Sequence, residues 1–423
     1  MYRRFTGLWR HPDFMKLWAG QTISAFGSLI GGTALHFTAI LFLHASALQM
    51  GLLAAASLAP GFAAGLVAGV WVDRLRRRPI LIVADIGRAV LLGTIPLAAF
   101  FDHLSIEQLY VVAFLNSILT VFFDVAYQSY LPSLVSREEL LEGNSKLSAS
   151  ASVAEVSGFG IAGWLVQLFS GPMAILLDAI SFLVSVVSVA AITAPESAPV
   201  RIHVPGKIWQ EIGEGLREVL RNPLLRTMAG CTFLHEFCGH GIFGAVVVLY
   251  MSRELGFAPG ILGMIFAVGG ISSLVGAVVT MPATRRLGVG QAMVVGLILS
   301  ALSSFFIPLA QGATLLAAVF LIAQQLMGDG GFTVYEINQV SLRQALAPER
   351  LLGRVNASMR FVAQGALLLG SLTGGLLGEL IGLRTTLVMG ACGALIAALW
   401  LALSPVRSVR WTDASVREEP APV

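Results

Sequence analysis

The sequence predicts an all-α integral membrane protein, with about 12 transmembrane helices in two six-helix bundles related by pseudo-two-fold symmetry. Three observations predict this: an extreme composition, apolar runs of spanning length, and a repeat at half the chain length. Of the 423 residues, 56% are hydrophobic and only 12% charged, with a mean hydropathy of +0.81. Soluble domains carry about 25% charged residues, so this chain is built for lipid. Its net charge of +3 is too small to argue for nucleic acid. Cys231, Cys238 and Cys392 all fall in apolar segments and imply neither a disulfide framework nor a metal motif.

Apolar runs of about 20 residues mark spanning helices. They fall at about 14–42, 49–72, 80–101, 106–127, 147–170, 172–194, 225–251, 259–283, 288–311, 313–335, 355–380 and 383–404. The first is long, follows Arg3, Arg4, Arg10 and Lys16, and lacks an A-x-A site, so it reads as a span, not a cleavable signal. The longest polar connection, about 195–224, contains "GKIWQEIGEGLREVL". There Ile208, Trp209, Ile212, Leu216, Val219 and Leu220 mark one face of an amphipathic helix, expected along the membrane surface. The expected organisation is a bundle over 1–194, a cytoplasmic linker over 195–224, a second bundle over 225–405 and a disordered tail over 406–423. Arg253 and Arg384 follow spans seven and eleven, while the remaining 25 of the 27 Lys and Arg residues crowd the opposite side. The positive-inside rule makes that side cytoplasmic, with both termini on it. The expected location is the cell (inner) membrane.

The halves repeat. "SYLPSLVSREELLEGNSKLS" (129–148) matches "VSLRQALAPERLLGRVNASM" (340–359). Gln128 falls on Gln339, Glu138 on Glu349 and Leu140 on Leu351 at an offset of 211, and Asn144 falls on Asn356 with one residue inserted. The same offset pairs Arg10-x-Pro12 with Arg221-x-Pro223, and Gly61, Gly65 and Gly69 with Ser272, Gly276 and Thr280. Small residues at that spacing let helices approach closely in lipid.

After span two comes "GVWVDRLRRRP", in which Gly69, Asp73, Arg74, Arg77 and Arg78 match the loop motif G-x-x-x-D-R-x-G-R-R. With the parallel six-plus-six duplication, this resembles the major facilitator superfamily. "LLDAISFLVS" (176–185), "RNPLLR" (221–226) and "LAPERLLGRVNA" (346–357) are similar to phrases of its enterobactin-exporter and macrolide-efflux branch. Arg76 departs from the motif's second glycine, and Thr284 stands where Asp73 would repeat. The resemblance implies a gating latch. Asp73 would meet the start of span eleven near Gly353–Asn356, where helix N–H groups favour an anion. Arg77 would pair with an acid at the end of span four, for which Asp124 is placed. Asp85 and Arg88, three apart in span three, can pair on one face.

"TFLHEFCGHGIFGAVVVLY" (232–250) raises a different chemistry, because His235, Glu236 and His240 resemble the zinc-hydrolase signature H-E-x-x-H. On an α-helix, residues five apart diverge by about 140°, whereas the signature needs four, about 40°, and a third ligand. The expectation is therefore no metal, no cofactor and no enzyme. Glu236 and His240 do share a face, near the middle of span seven. An ionisable group there costs at least about 2.5–3.5 kcal/mol and normally faces water or a partner. Glu155 lies at similar depth in span five and Asp329 in the inner half of span ten. Low dielectric disfavours the charged form, so Glu236, with His240 and one of Glu155 or Asp329, are candidate carriers of coupling protons. A hydrogen-bonded pair that fixes packing is the alternative.

The resemblance further implies a cavity among spans one, four, seven and ten. Gln21, Ser24, Ser28, Asn116, Thr120, Gln324, Gln325 and Asp329 are candidate polar lining, with Phe26, Phe233 and Phe237 as apolar wall. The expected partners are the lipid bilayer, a small molecule and a proton, acting on a monomer. The expected function is secondary active export of an amphiphile such as a siderophore, macrolide or other drug-like compound by alternating access. Two departures keep a uniporter, or an importer of an amphiphile such as a lysophospholipid, open. Span four has no Arg, and span five reads Gly158-Phe-Gly-Ile-Ala-Gly163 in place of G-P-x-x-G-G. No G-x-x-x-x-G-K-[ST] motif is present to hold ATP.

Overall fold

A computed structural model of the chain describes residues 7–72, 75–136, 138–194, 196 and 208–410. Among these residues there are thirteen helices and no strand. The first six are α1 (Pro12–Phe42), α2 (Ala47–Val72), α3 (Arg77–Phe100), α4 (Ile106–Leu134), α5 (Leu140–Phe169) and α6 (Gly171–Ala190). A connecting helix, α7 (Ile208–Arg221), precedes α8 (Pro223–Glu254), α9 (Pro259–Leu287), α10 (Val289–Leu309), α11 (Leu315–Leu346), α12 (Leu352–Ile381) and α13 (Leu383–Leu403). Eleven are long and apolar enough to cross a membrane, and α2 is a further apolar helix of 26 residues. Many large apolar side chains stay exposed, Leu97, Phe100, Val187 and Leu403 among them. In a chain this apolar, such a surface is one that lipid covers.

The chain divides into two compact units. The first holds Met1–His203 with Ala258–Ala267; the second holds Val204–Phe257 with Val268–Val423. In the first, α1 packs on α5 and α6, α3 on α4 and α6, and α2 on α4. Glycines set the closest approaches. A Cβ on Gly163 of α5 would fall 2.3 Å from the Pro259 carbonyl oxygen, and one on Gly263 would fall 2.5 Å from that of Phe159. In the second unit α8 packs on α12 and α13, and α10 on α11 and α13. A Cβ on Gly370 of α12 would meet the Phe237 carbonyl oxygen at 2.2 Å, and one on Gly374 that of Ile242 at 2.5 Å.

Several boundaries differ from the sequence expectation. Helix α4 runs on to Leu134, because Tyr130, Leu131 and Leu134 are buried beyond the polar Gln128 and Ser129. The tail expected to be disordered from 406 is ordered to Arg410. Val406 is fully buried, and the Val409 carbonyl accepts from the Gly290 amide at the start of α10. In α7 the side chains of Ile208, Trp209 and Ile212 lie outside the described residues. Val219 is buried, Leu216 and Leu220 are exposed, and Gly215 sits against the Arg354 backbone of α12, with Glu214 paired to the Arg354 guanidinium.

Candidate functional site: a neutral cavity, a buried charge cluster and a π-helical segment

A cavity of about 380 Å³ opens in the first unit where α1, α4 and α5 meet. Gln21, Thr22 and Ala25 of α1 line it on one side, with Tyr127, Gln128 and Leu131 one turn apart on α4. Asn144, Leu147, Ser148, Ser150 and Ala151 complete it from α5. The Trp18 indole N–H donates to Ser150 Oγ at 2.9 Å and ties α1 to α5 beside it. The wall mixes hydrogen-bonding and apolar groups and carries no charge. Such a wall can hold an amphiphile through oriented polar contacts while burying its apolar body.

Of the expected lining, Gln21 is in this cavity. Ser24 is buried and Ser28 exposed, and neither is among the residues that line it. Asn116 and Thr120 lie higher on α4, where the Thr120 hydroxyl donates to the Asn116 carbonyl and Asn116 Oδ1 is buried without a partner. Gln324, Gln325, Asp329 and Phe237 belong to the second unit. There Gln325 Nε2 lies 3.5 Å from Asp329 Oδ2, and Phe237 stacks on Phe233 with ring centroids 5.9 Å apart. Sequence reasoning missed Thr22, Tyr127, Gln128, Asn144 and Ser148. Gln128 and Asn144 were visible as repeat positions, but their direction needed the backbone.

Beside α1, a charge cluster is buried between α3 and α6. Asp85 and Arg88 form the expected pair, both almost without exposure. Arg88 is also sandwiched between the rings of Phe123 (4.1 Å) and Phe182 (4.2 Å). Asp178 of α6, 3% exposed, is a second carboxylate acting on Arg88, and Ser181 Oγ lies 3.3 Å from its Oδ1. The Gln21 amide donates to Ser185 Oγ at 3.3 Å, and the Ser185 hydroxyl acts on the Asp85 carboxylate. The cluster thus reaches the cavity through Ser185 and Gln21.

The rest of the expected latch lies partly outside the described residues. Asp73 and Arg74 lie outside the described residues, and Gly69 lies in the backbone of α2. At the start of α3 the Glu196 carboxylate accepts from the Arg77 and Arg78 amides. A helix start offers unpaired N–H groups, so a carboxylate there is held by backbone rather than by a guanidinium. The Arg78 guanidinium donates to the Ala190 carbonyl, closing α3 onto the end of α6. Asp124 is exposed.

In the second unit, His235–Ile242 is π-helical. This corrects the expected divergence of the two histidines. A π turn carries about one residue more than an α turn, so positions five apart share a face, and the His235 and His240 rings lie 4.8 Å apart. The repeat accounts for the extra residue. Arg10-x-Pro12 and Arg221-x-Pro223 differ by 211, yet the π turns that end α1 (Thr38–Phe42) and α8 (Tyr250–Glu254) differ by 212. One residue inserted in α8 is absorbed as the π segment.

His240 Nδ1 lies 3.1 Å from Glu236 Oε2; the His240 side chain is 43% exposed and that of Glu236 18%, so the pair is half-open. His235 is buried, stacks on Phe332 at 5.0 Å and leaves both ring nitrogens without a hydrogen-bond partner. Asp329 is half-buried, whereas Glu155 is exposed on α5. Among the described residues no three His, Cys, Asp or Glu side chains converge as a metal site requires.

These features define a multi-pass membrane protein of duplicated helices with a neutral ligand-sized cavity. A family described as transmembrane secretion effector, of the major facilitator type, matches residues 6–422, and the chain belongs to it. It is 28% identical to an uncharacterized MFS-type transporter YfiS of Bacillus subtilis strain 168, over 92% of this chain and 91% of that one. It is 26% identical to the multidrug efflux pump Tap of Mycolicibacterium fortuitum, over 89% and 91%. Its fold is similar to a bacterial homologue of the iron transporter ferroportin, solved in an inward-facing state. The TM-score is 0.77 at 18% identity, over 96% of this chain and all of that one.

Proposed function

We propose that this protein exports an amphiphilic, drug-like small molecule by alternating access, driven by protons. Both termini face the cytoplasm of the cell membrane, and the monomer is the working unit. The observation that carries the reading is the uncharged cavity of α1, α4 and α5, which suits a ligand with separate polar and apolar faces. The family membership and the likeness to a multidrug efflux pump support the direction. Glu236 and His240, hydrogen-bonded and half-open in an apolar helix, supply a place where a proton can be taken up and released. A proton crossing 100 mV supplies about 2.3 kcal/mol, enough to concentrate a solute some tens of times. The absence of an Arg in α4 favours, as a second reading, a uniporter that uses no proton.

The test is flux of erythromycin and of ethidium in proteoliposomes with and without an imposed pH gradient. The expected result is gradient-driven accumulation by wild type that Glu236→Gln abolishes while leaving downhill flux. Accumulation that ignores the gradient turns the reading into the uniporter; no movement of either probe removes drug export.

A further inference from the structure

We propose that Asp85, Arg88 and Asp178 form a second proton-binding site, in the first unit, with Asp178 carrying the exchangeable proton. The inference deepens the proton-coupled reading and rests on it for the work the proton does. Charge counting leads to it. Two carboxylates and one guanidinium are 0%, 3% and 4% exposed (Asp85, Asp178 and Arg88), in helices otherwise apolar at that depth. An uncompensated buried ion costs several kcal/mol, so the cluster is stable when one acid is protonated. Asp85 holds the direct ion pair with Arg88. Asp178 makes no ion pair among the described residues and has the Ser181 hydroxyl beside it, so it is the acid that takes the proton. Arg88 and Asp85 of α3 are the charged groups that act on Asp178. Helix α1 faces it with Gly27 and Gly31, and Glu155 of α5 is exposed. On the far side of Arg88 the further groups are Asp124 and Tyr127 of α4.

Two features make this an exchange site coupled to the ligand rather than inert packing. The Asp178 carboxyl is pressed onto α1: a Cβ on Gly31 would lie 2.0 Å from Oδ2, and one on Gly27 2.9 Å from Oδ1. Gain or loss of the proton therefore changes the contact between α6 and the helix that lines the cavity. Unused hydrogen-bonding capacity also remains, since Asp85 Oδ2 and Arg88 Nε are buried without partners, and Ser185, which accepts from the Gln21 amide of the cavity wall, acts on Asp85.

Infrared spectroscopy of the full chain in phosphatidylcholine vesicles tests this without any substrate. Wild type is expected to show the C=O band of a protonated buried carboxyl at neutral pH that fades as the pH is raised into the alkaline range. Asp178→Asn is expected to lack the band and to bind one proton fewer per chain in a potentiometric titration. In flux assays that variant is expected to bring the ratio of erythromycin accumulation with and without a pH gradient to unity. The proposal is overturned if wild type lacks the band, if the band persists unchanged at alkaline pH, or if Asp178→Asn retains it. The wild-type spectrum decides even if the variant fails to fold. Failure of all probes to move sinks the export reading alone, because the spectra do not depend on it.

Discussion

In the first unit a buried charge cluster sits on α3 and α6, as Asp85, Arg88 and Asp178, with Asp13 buried at the start of α1; in the second a cluster of ionisable groups sits on α8 and α11, His235, Glu236, His240 and Asp329 among them. Helix α10, at the place of α3 in the repeat, has no charged residue, and α13, at the place of α6, has only Arg384 near its start. The backbone, in contrast, repeats closely. The Leu43 amide bonds the Thr38 carbonyl as that of Leu255 bonds Tyr250, and the Ala45 amide bonds Ala39 as that of Phe257 bonds Met251, each at an offset of 212. Side chains at the repeated contact have traded places. In the first unit, glycines of α1 make room for larger groups of α6, Gly31 for Asp178 and Gly27 for Ser181. In the second, glycines of α13 make room for α8, Gly390 for Phe243 and Gly393 for Cys238. Helix–helix distance is what the duplication kept; which helix supplies the bulk, and which half supplies the charge, was free to vary.

The largest effect expected from this contrast is at Arg88. Replacing it with Leu leaves the Asp85 carboxylate buried without its ion-pair partner, a loss of about 3–5 kcal/mol. The midpoint of thermal unfolding in detergent measures it. The second-unit control is Met293→Leu in the apolar cluster of α10, α11 and α13, where a volume-conserving change costs less than about 1.5 kcal/mol. Equal losses at the two sites would mean that the first unit does not depend on its charges as argued.

Next in size is the traded packing. Gly31→Ala drives a methyl into Asp178 and is expected to cost about 1–3 kcal/mol. Gly390→Ala, whose Cβ would lie 2.9 Å from that of Phe243, is expected to cost a similar amount. Gly32, one residue along α1, has nothing within 4 Å, so Gly32→Ala is expected to shift stability by less than about 1 kcal/mol. In a double-mutant cycle Gly31→Ala with Asp178→Ala is expected to be less destabilising than the sum of the single changes, with a coupling of about 0.5–3 kcal/mol. Additivity would mean that Asp178 is not held against α1.

How far these contrasts were legible in the sequence depends on the kind of information each needs. Twelve apolar runs gave the spans to within a few residues at most ends, because lipid imposes a length and a polarity that composition reports directly. Glu236 and His240, four apart, were read as sharing a face, and they do. His235 and His240 were misread because a 3.6-residue period was assumed where one inserted residue makes a π turn. The 211-to-212 change in the repeat offset carried that signal, and only the paired π turns at the helix ends reveal it. Asp178 was quoted within "LLDAISFLVS" without a role, since its meaning depends on Gly27 and Gly31, about 150 residues away. Glu155 and Glu236 were read at similar depth, yet Glu155 is exposed and Glu236 partly buried, because which side of a helix faces a neighbour is set by packing that one sequence does not encode legibly.

The smallest effect tests whether the backbone repeat holds where the residues differ most. The turn from α5 to α6 passes through Ser170 at φ 86°, ψ 159°, and the turn from α12 to α13 passes through Gly382 at φ 86°, ψ 157°. This conformation is open to glycine and costs another residue on the order of 1–3 kcal/mol. Ser170 is exposed, so its hydroxyl fills no gap that a glycine would leave empty. Ser170→Gly relieves the strain at the expense of a more flexible unfolded chain, worth about 0.5–1 kcal/mol. The expected net result is a stabilisation of about 1 kcal/mol, read as a raised unfolding midpoint. Gly382→Ser runs the exchange in the other direction and is expected to destabilise by a similar amount. The next residue sharpens the point. A Cβ on Gly171 would lie 2.2 Å from Thr38 Oγ1, whereas Leu383 occupies the matching place in the second unit. If Ser170→Gly lowers the midpoint instead, the turn is held by something other than its backbone geometry, and the likeness of the two connections is one of shape without a shared cause.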